Sequence, residues 1–212
     1  MYIKSRMTKN PFTISSNTTI ADAVALFREK EFKRFPVVDN GKLVGVLTKG
    51  DIQAVSPTKA TSLSIFELNY LLSKLTVKDA MTKKVITIEA DCLLEEAAVA
   101  MRKNKISTLP VMEKGELVGI ITESDIFDAF IDLMGFREKG SRITVETRDV
   151  PGYIAGITEI YSSLNINITH IAMFAGNGIR DLVIRSSESD ISGIEEKLND
   201  RGYKVKHVLI NK

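Results

Sequence analysis

The heptad "GVLTKGD", from Gly45 to Asp51, combines an apolar strand with the start of a helix. The chain repeats it as "GIITESD", from Gly119 to Asp125, 74 residues later. Outward from these heptads, residues 7–51 align with residues 81–125 without a gap, and 15 of the 45 aligned positions are identical. Similarity at a fixed spacing is typical of a duplicated structural unit. The sequence therefore predicts two copies of one unit.

Each copy has the same predicted order of elements: strand, helix, strand, strand, helix. The opening strands are predicted at Phe12–Ile14 and Val85–Ile88. The helix that follows has an apolar stripe at the spacing of a core-facing helix. The stripe residues are Ile20, Val24 and Phe27 in the first copy and Leu94, Ala98 and Met101 in the second.

The next two strands of each copy are predicted to form a hairpin. Asn40-Gly41 stands between the apolar runs in the first copy, and Lys114-Gly115 stands at the same place in the second. Asn-Gly is a strong hairpin signal because both residues tolerate positive φ. A terminal helix follows each heptad, and the second one is expected to end at Gly135.

A single copy of about 50 residues buries too little surface to be stable alone, so the two copies are expected to pack together. The segment between them is predicted to contain a helix of its own from about Ile65 to Lys74.

The paired pattern of an opening "MT", a "PVVD" strand, a hairpin glycine and a terminal G-h-h-T-x-x-D resembles tandem CBS domains, the Bateman module. The resemblance covers about residues 1–135. It implies a first CBS domain at 1–56, a connecting segment at 57–76 and a second CBS domain at 77–136. It also implies a regulatory sensor that binds AMP, ADP, ATP, S-adenosylmethionine or a related adenosyl ligand in the clefts between the copies.

The heptads have two interpretations. Thr48 with Asp51, and Thr122 with Asp125, fit capping boxes at the starts of the terminal helices. The same residues fit a nucleotide site, in which the hydroxyl and free amides bind phosphate and the carboxylate binds a ribose diol. A heptad glycine either bends its strand or leaves space beside a ligand; these glycines are Gly45 and Gly119.

The two copies differ just before the "PVVD" strand. The first has Lys33 and Arg34, and the second has Ser107 and Thr108. The resemblance implies that these positions reach ligand phosphates. We predict that Arg34 accompanies the cleft of Asp51 and that the cleft of Asp125 lacks an arginine; the alternative is that both basic residues form a solvated surface patch.

The C-terminal third has a different pattern. Residues 141–212 predict the order strand, helix, strand, strand, helix, strand, which is a ferredoxin-like fold, so the whole chain is expected to be α+β. The first helix has Asp149 as a candidate cap and Pro151 in its first turn, and the second helix is expected from about Asp190 to Asp200. The hairpin between the middle strands is expected at 175–178.

The loop "DVPGYI", from Asp149 to Ile154, resembles the ligand loop of ACT domains. The resemblance implies edge-to-edge association and a small effector such as an amino acid. We predict an effector site formed by Asp149, Gly152 and Tyr153 of one subunit with Asn167 and Ile168 of a neighbour. A purely oligomerising ACT domain is the alternative.

Composition limits the remaining classes of function. A net charge of +2, from 29 basic and 27 acidic residues, does not support a nucleic-acid partner. The chain has no apolar stretch long enough for a signal sequence or a membrane span, so a cytoplasmic location without membrane attachment is expected. A single cysteine, Cys92, cannot form an internal disulfide.

No catalytic or metal motif is present. The two histidines, His170 and His207, have no ligand spacing, and no nucleophile motif occurs. We therefore expect a protein without enzymatic activity, catalytic cofactor or metal. We also expect a homodimer or higher homo-oligomer, because the edge of the C-terminal sheet usually needs a pairing partner. The alternatives are an interaction scaffold that binds no nucleotide and a DNA-associated transcriptional regulator. The sequence does not identify a downstream protein partner.

Overall fold

The computed structural model describes residues 1–55, 74–176 and 178–211. The chain forms two compact units, Met1–Ile126 and Phe127–Lys212. Apart from Lys74, the helix predicted between the copies lies outside the described residues. None of the described helices is long and apolar enough to cross a membrane.

The N-terminal unit contains both sequence copies. Its strands are β1 (Thr8–Lys9), β2 (Arg34–Asp39), β3 (Lys42–Thr48), β4 (Ile88–Glu89), β5 (Thr108–Glu113) and β6 (Glu116–Thr122). Its helices are α1 (Ile20–Glu29), α2 (Lys49–Val55), α3 (Val77–Ala80) and α4 (Leu94–Asn104). Helix α5 (Glu123–Leu133) follows β6 and crosses the boundary between the two units.

Both predicted hairpins are confirmed. Strands β2 and β3 pair in antiparallel fashion, as do β5 and β6. The turn residues have positive φ, with 50° at Asn40 and 76° at Gly41, and 51° at Lys114 and 84° at Gly115. Helix α5 ends two residues before Gly135, whose φ of 60° agrees with the predicted helix end.

The opening segment of each copy pairs with the other copy. Strand β1 lies against β6, with Thr8 opposite Ile120, so the start of the first copy extends the hairpin of the second. In the reciprocal position, Thr82 and Val46 exchange two backbone hydrogen bonds of 2.9 and 3.0 Å. The two copies are therefore interlocked, which the local sequence patterns did not predict.

The heptad glycines make this exchange possible. A Cβ atom at Gly45 would overlap the Met81 side chain, and a Cβ atom at Gly119 would overlap the Met7 side chain. Both methionines belong to the "MT" segment of the opposite copy. The glycines thus leave space for a neighbouring segment of the chain, a role that neither interpretation from the sequence had included.

The predicted strand at Phe12–Ile14 contracts to one parallel bridge between Ile14 and Val37. Ile14 donates to the carbonyl of Pro36 and accepts from Val38. The ladder cannot extend toward Phe12 because the next donor would be Pro36, which has no N–H group. The second copy has a proline at the equivalent position, Pro110, and β4 accordingly starts at Ile88 instead of Val85.

The core-facing stripes differ from the prediction by one residue. Ala23 and Ala97 are fully buried, whereas Val24 and Ala98 are only partly buried. The stripes of α1 and α4 therefore follow the spacing i, i+3, i+7.

The C-terminal unit has the predicted order of elements. Its strands are β7 (Gly140–Arg148), β8 (Ile168–Ala175), β9 (Ile179–Ser186) and β10 (Lys204–Asn211), and its helices are α6 (Tyr153–Ser163) and α7 (Ile194–Asp200). The sheet order is β10-β7-β9-β8, and every neighbouring pair is antiparallel. The side chains of the helices and of one sheet face form the core, which includes Ile143, Val145, Ile157, Tyr161, Leu182, Ile184 and Leu198.

Three local predictions in this unit need correction. Helix α6 begins at Tyr153 after Gly152, whose φ is 88°, so Pro151 precedes the helix and no side chain caps it. Asp149 instead forms an ion pair of 2.6 Å with Arg180.

Helix α7 begins at Ile194, four residues after the predicted start. Asp190 accepts hydrogen bonds from the backbone and the hydroxyl of Ser192, at 3.0 and 2.6 Å. This local turn competes with helix formation because it uses the Asp190 side chain to fold the backbone back on itself. In the expected hairpin at 175–178, the Gly176 amide donates to the Ile179 carbonyl, and residue 177 lies outside the described part of the chain.

Candidate functional site

The N-terminal unit has a cleft of about 340 Å³ between the two sequence copies. A volume of this size lies at the lower end of the range for small-molecule sites, about 300–1,000 Å³. We call it the larger cleft. Its lining consists of Thr8, Pro11, Phe12, Glu31, Phe32, Lys33, Arg34, Pro36, Ser107, Thr108, Ile120, Thr122, Glu123 and Ser124.

A smaller cleft of about 130 Å³ lies in the same unit. Its lining consists of Arg34, Pro36, Val46, Thr48, Thr82, Lys84, Val85, Ile86, Ile106, Thr108, Pro110 and Ile120. The linings are related by the sequence repeat, since Thr8 corresponds to Thr82, Phe12 to Ile86, and Thr122 to Thr48. Arg34 and Thr108 are equivalent positions, and both line both clefts.

The capping interpretation of the heptads is confirmed. The Asp51 Oδ2 atom accepts hydrogen bonds from the Thr48 amide and hydroxyl, at 2.8 and 2.7 Å, and the Asp51 amide donates to the Thr48 hydroxyl at 3.2 Å. Asp125 and Thr122 make the same three bonds, at 2.7, 2.7 and 3.3 Å. Each threonine hydroxyl therefore already donates its one hydrogen.

Neither heptad aspartate lines a cleft, although each follows a threonine that does. In each carboxylate, Oδ2 is the oxygen that bonds to the cap. The Oδ1 atoms of Asp51 and Asp125 have no hydrogen bond within the described part of the chain. One oxygen of each carboxylate thus remains as an acceptor.

The position of Arg34 differs from the prediction in one respect. Its Nη2 donates to the Ser107 hydroxyl at 2.6 Å, and Ser107 lines the larger cleft together with Thr122. Arg34 therefore lies on both clefts: it shares the smaller cleft with Thr48 of the first heptad, and it also lines the cleft of the second heptad, which was expected to lack an arginine. Lys33 lines the same larger cleft and is exposed. The crossed opening segments explain the error, because each cleft combines the start of one copy with the end of the other.

The Arg34 guanidinium is half-buried. Burial lowers the pKa of this group from its usual value, while the negative charge of Glu123 opposes the shift. Arginine remains protonated at any physiological pH. Because the described residues place only the Ser107 hydroxyl within hydrogen-bond distance of it, most of its donors are available to a ligand.

An aromatic wall was missed by the sequence reasoning. Phe12 and Phe32 line the larger cleft and are 44% and 41% exposed. Their ring centroids are 6.5 Å apart, and each lies 5.7 Å from the ring of the fully buried Phe35. Such partly exposed rings can stack on a planar base. The signal in the sequence was a pair of aromatic residues in one copy where the other copy has isoleucines.

Two acidic residues of the larger cleft were also missed. Glu31 and Glu123 are exposed on its lining. Glu123 stands within the second heptad at the position that Lys49 occupies in the first. The reversal of charge at this position is the signal that could have identified it.

The residues predicted for an effector site separate into two surface depressions. Asp149, Gly152 and Tyr153 line one depression at the start of α6. Asn167 and Ile168 line the other, beyond the end of α6. Because 11 helical residues span about 16 Å, the two groups do not meet within one chain.

The position of Gly152 fits the expected approach of a ligand to the backbone. Its φ is 88°, and no heavy atom lies within 4 Å of the place where a Cβ would be. Among the described residues, no group of three or more histidine, cysteine, aspartate or glutamate side chains could hold a metal ion.

Comparison with known families identifies the N-terminal unit. The sequence profile of the CBS domain matches residues 3–57 and 77–132. The chain belongs to the CBS domain family. Curated relatives of this CBS pair include the uncharacterized protein MJ1426 of Methanocaldococcus jannaschii, which is 33% identical over 155 residues, covering 62% of this chain and 92% of the relative.

Another relative is an enzyme of greater length. The inosine-5'-monophosphate dehydrogenase of Korarchaeum cryptofilum is 28% identical over 177 residues. The match covers 83% of this chain but only 34% of the dehydrogenase. The chain therefore spans about a third of that relative.

Solved structures of CBS pairs are also similar. A candidate acetoin utilization protein (AcuB) from Vibrio cholerae is 30% identical with a TM-score of 0.54, covering 65% of this chain and 95% of that one. The CBS domain pair of protein MJ0100, in complex with 5'-methylthioadenosine and S-adenosyl-L-methionine, is 31% identical with a TM-score of 0.51, covering 65% and 98%. CBSX2 in complex with AMP is 30% identical with a TM-score of 0.52, covering 62% and 96%.

Proposed function

We propose that this chain is a non-catalytic regulatory sensor whose CBS pair binds an adenosyl ligand. The observation that carries the proposal is the larger cleft, which combines an aromatic wall with a half-buried guanidinium. The rings of Phe12 and Phe32 can stack on an adenine base, and the free donors of Arg34 can form hydrogen bonds to an anionic group. The similar structures with bound AMP, or with methylthioadenosine and S-adenosylmethionine, support ligands of this class. AMP, ADP, ATP and S-adenosylmethionine are therefore the candidate ligands.

The candidate ligand residues in the CBS pair are the ones expected from the sequence, with changed roles. Lys33, Arg34, Ser107, Thr108 and Thr122 lie on the larger cleft. Thr48 lies on the smaller cleft with Arg34 and Thr108. The heptad aspartates contribute through the caps that hold the threonines. The free Oδ1 atom of each aspartate is the proposed acceptor for a ribose hydroxyl.

Isothermal titration of the full chain with AMP, ATP and S-adenosylmethionine tests the proposal. We expect at least one ligand to bind with a dissociation constant between about 1 µM and 1 mM, which corresponds to about −8 to −4 kcal/mol. Phe32→Ala should weaken binding by about 1–3 kcal/mol through the lost base stacking. Val99→Ala, a change at an exposed apolar side chain of α4 that lines neither cleft, is the control. Heats of dilution alone for all three ligands would favour the scaffold alternative.

We further propose that residues 141–212 are a ferredoxin-like ACT domain. The order of elements, the antiparallel sheet and the depression at Asp149–Ile154 support this assignment. The Asp149 carboxylate is engaged by Arg180, so the amides and the open space at Gly152 are the better candidates for contact with an effector. The separation of Asn167 and Ile168 from this loop supports an effector site shared between subunits.

A homodimer or higher homo-oligomer is part of the same proposal. Apolar side chains are exposed on α5 and just after it, at 57–66% of their surface: Phe127, Phe130, Leu133 and Phe136. Others are exposed on the edge strands β8 and β10, including Ile171, Met173, Phe174, Leu209 and Ile210. Exposed apolar side chains in such number favour interaction sites on this unit.

Sedimentation velocity at micromolar concentration should therefore detect a species of at least twice 23.5 kDa. Phe130→Ser should shift the chain toward monomer, whereas Val99→Ser, at an isolated exposed valine of α4, should not. A wild-type chain that sediments only as a monomer would contradict the proposal. A role linked to acetoin utilization is supported only by the likeness to the Vibrio cholerae structure, and that likeness spans 65% of this chain.

A further inference from the structure

The larger cleft carries charges of both signs. Lys33 and Arg34 contribute two positive charges to its lining, and Glu31 and Glu123 contribute two negative ones. Its formal charge is therefore zero, and a polyanion gains no net attraction on entering it. A ligand with both an anionic and a cationic group finds a partner for each.

The relation between Arg34 and Glu123 sharpens this point. Both residues lie on the lining of the larger cleft. Within the described residues, however, no carboxylate lies within 4 Å of Arg34 to neutralise it. A guanidinium and a carboxylate that are near each other but not paired match the carboxylate and ammonium of an α-amino acid.

The aromatic wall adds a second preference. Phe12 and Phe32 expose their rings to the same cleft, and Lys30 already lies 5.8 Å from the Phe12 ring centroid. The negative face of such a ring attracts a cation, including a sulfonium. The equivalent positions of the smaller cleft, Ile86 and Ile106, have no such face.

The smaller cleft is a poor competitor for a bulky ligand. Its volume of about 130 Å³ is below the usual range for ligand sites, about 300 Å³ and more. Its lining includes Arg34 and Lys84 but no carboxylate. It therefore lacks a partner for an ammonium group.

We propose that the larger cleft selects an adenosyl ligand with a zwitterionic amino-acid tail, of which S-adenosylmethionine is the example, over adenine nucleotides. This inference rests on the proposed adenosyl-binding function and names the ligand class of the same site. In this arrangement Arg34 binds the tail carboxylate, Glu123 binds the tail ammonium, and the rings of Phe12 and Phe32 contact the base and the sulfonium.

The test is isothermal titration of the full chain with five ligands: S-adenosylmethionine, S-adenosylhomocysteine, methylthioadenosine, AMP and ATP, the last with and without Mg²⁺. We expect the two ligands with an amino-acid tail to bind at least tenfold more tightly than methylthioadenosine, AMP or ATP. A hydrogen bond to a charged group has an effect of that size.

The variant Glu123→Gln separates the ligand classes by the sign of its effect. It should weaken S-adenosylmethionine about tenfold, because the ammonium loses its charged partner. It should strengthen ATP about fivefold, because a like charge is removed. Glu116→Gln, at an exposed glutamate at the start of β6, is the control and should change neither affinity.

The possible failures are distinguishable. Tighter binding of ATP or its Mg²⁺ complex than of S-adenosylmethionine, or equal effects of Glu123→Gln and Glu116→Gln, would overturn the selectivity and leave adenosyl binding intact. Absence of binding by all five ligands would overturn the proposed function and this inference with it.

Discussion

Gly140→Ala should unfold the C-terminal unit and leave the N-terminal unit folded. Gly140 starts β7 with a φ of 120°, a conformation that residues with a Cβ rarely adopt. A Cβ atom there would overlap the backbone carbonyl of Ser186 in the neighbouring strand, which cannot move without breaking the central pair of the sheet. We expect the free energy of unfolding of this unit to fall by about 4 kcal/mol or more.

Differential scanning calorimetry can follow the two units as separate transitions. For a unit of this size, each kcal/mol lowers the melting temperature by about 4–8 °C. Gly193→Ala is the matched control, because Gly193 also has a positive φ, 78°, but no atom within 4 Å of the added carbon. It should cost only about 1–2 kcal/mol of backbone strain. Equal losses for the two variants would show that the steric argument is wrong.

The second large effect is expected for Phe35→Ala. Phe35 is fully buried, and its ring lies 4.5 Å from that of Phe27 and 5.7 Å from those of Phe12 and Phe32. Loss of a buried phenylalanine typically costs about 3–5 kcal/mol. Because the two cleft rings rest on Phe35, the variant should also weaken ligand binding in the larger cleft.

Urea denaturation and titration with the best ligand measure the two effects. Leu109→Ala replaces the residue at the same position of the second copy, which is also fully buried, and should cost about 2–5 kcal/mol. Leu109→Ala leaves the aromatic wall in place. At a low temperature at which both variants are folded, it should therefore weaken ligand binding less than Phe35→Ala does. Equal ligand affinities of the two variants would show that Phe35 does not support the ligand site.

Local features of the fold were predictable because each depends on neighbouring residues alone. Asn40-Gly41 specifies a tight turn through its tolerance of positive φ. A threonine followed three residues later by an aspartate specifies a capping box, and both boxes form.

Features that depend on distant residues were not predictable in the same way. A two-residue strand such as β1 can satisfy its hydrogen bonds on either copy, and nothing in its own sequence selects the partner. Without the crossed pairing, the presence of Arg34 in the cleft of the second heptad could not be predicted. The predicted capping role of Asp149 was wrong for a similar reason. The partner of Asp149 is Arg180, which comes near only through the fold of the sheet.

The crossed pairing of β1 also has a consequence during protein synthesis. Thr8 pairs with Ile120, 112 positions further along the chain, so β1 has no partner strand until almost all of the N-terminal unit has been made. Until then, the Met7 side chain lacks the space beside Gly119 against which it packs. Long-range closure of this kind slows folding. The first copy is thus incomplete until the second copy has been synthesised. A gene truncated between the two copies would encode a chain in which β1 has no partner strand.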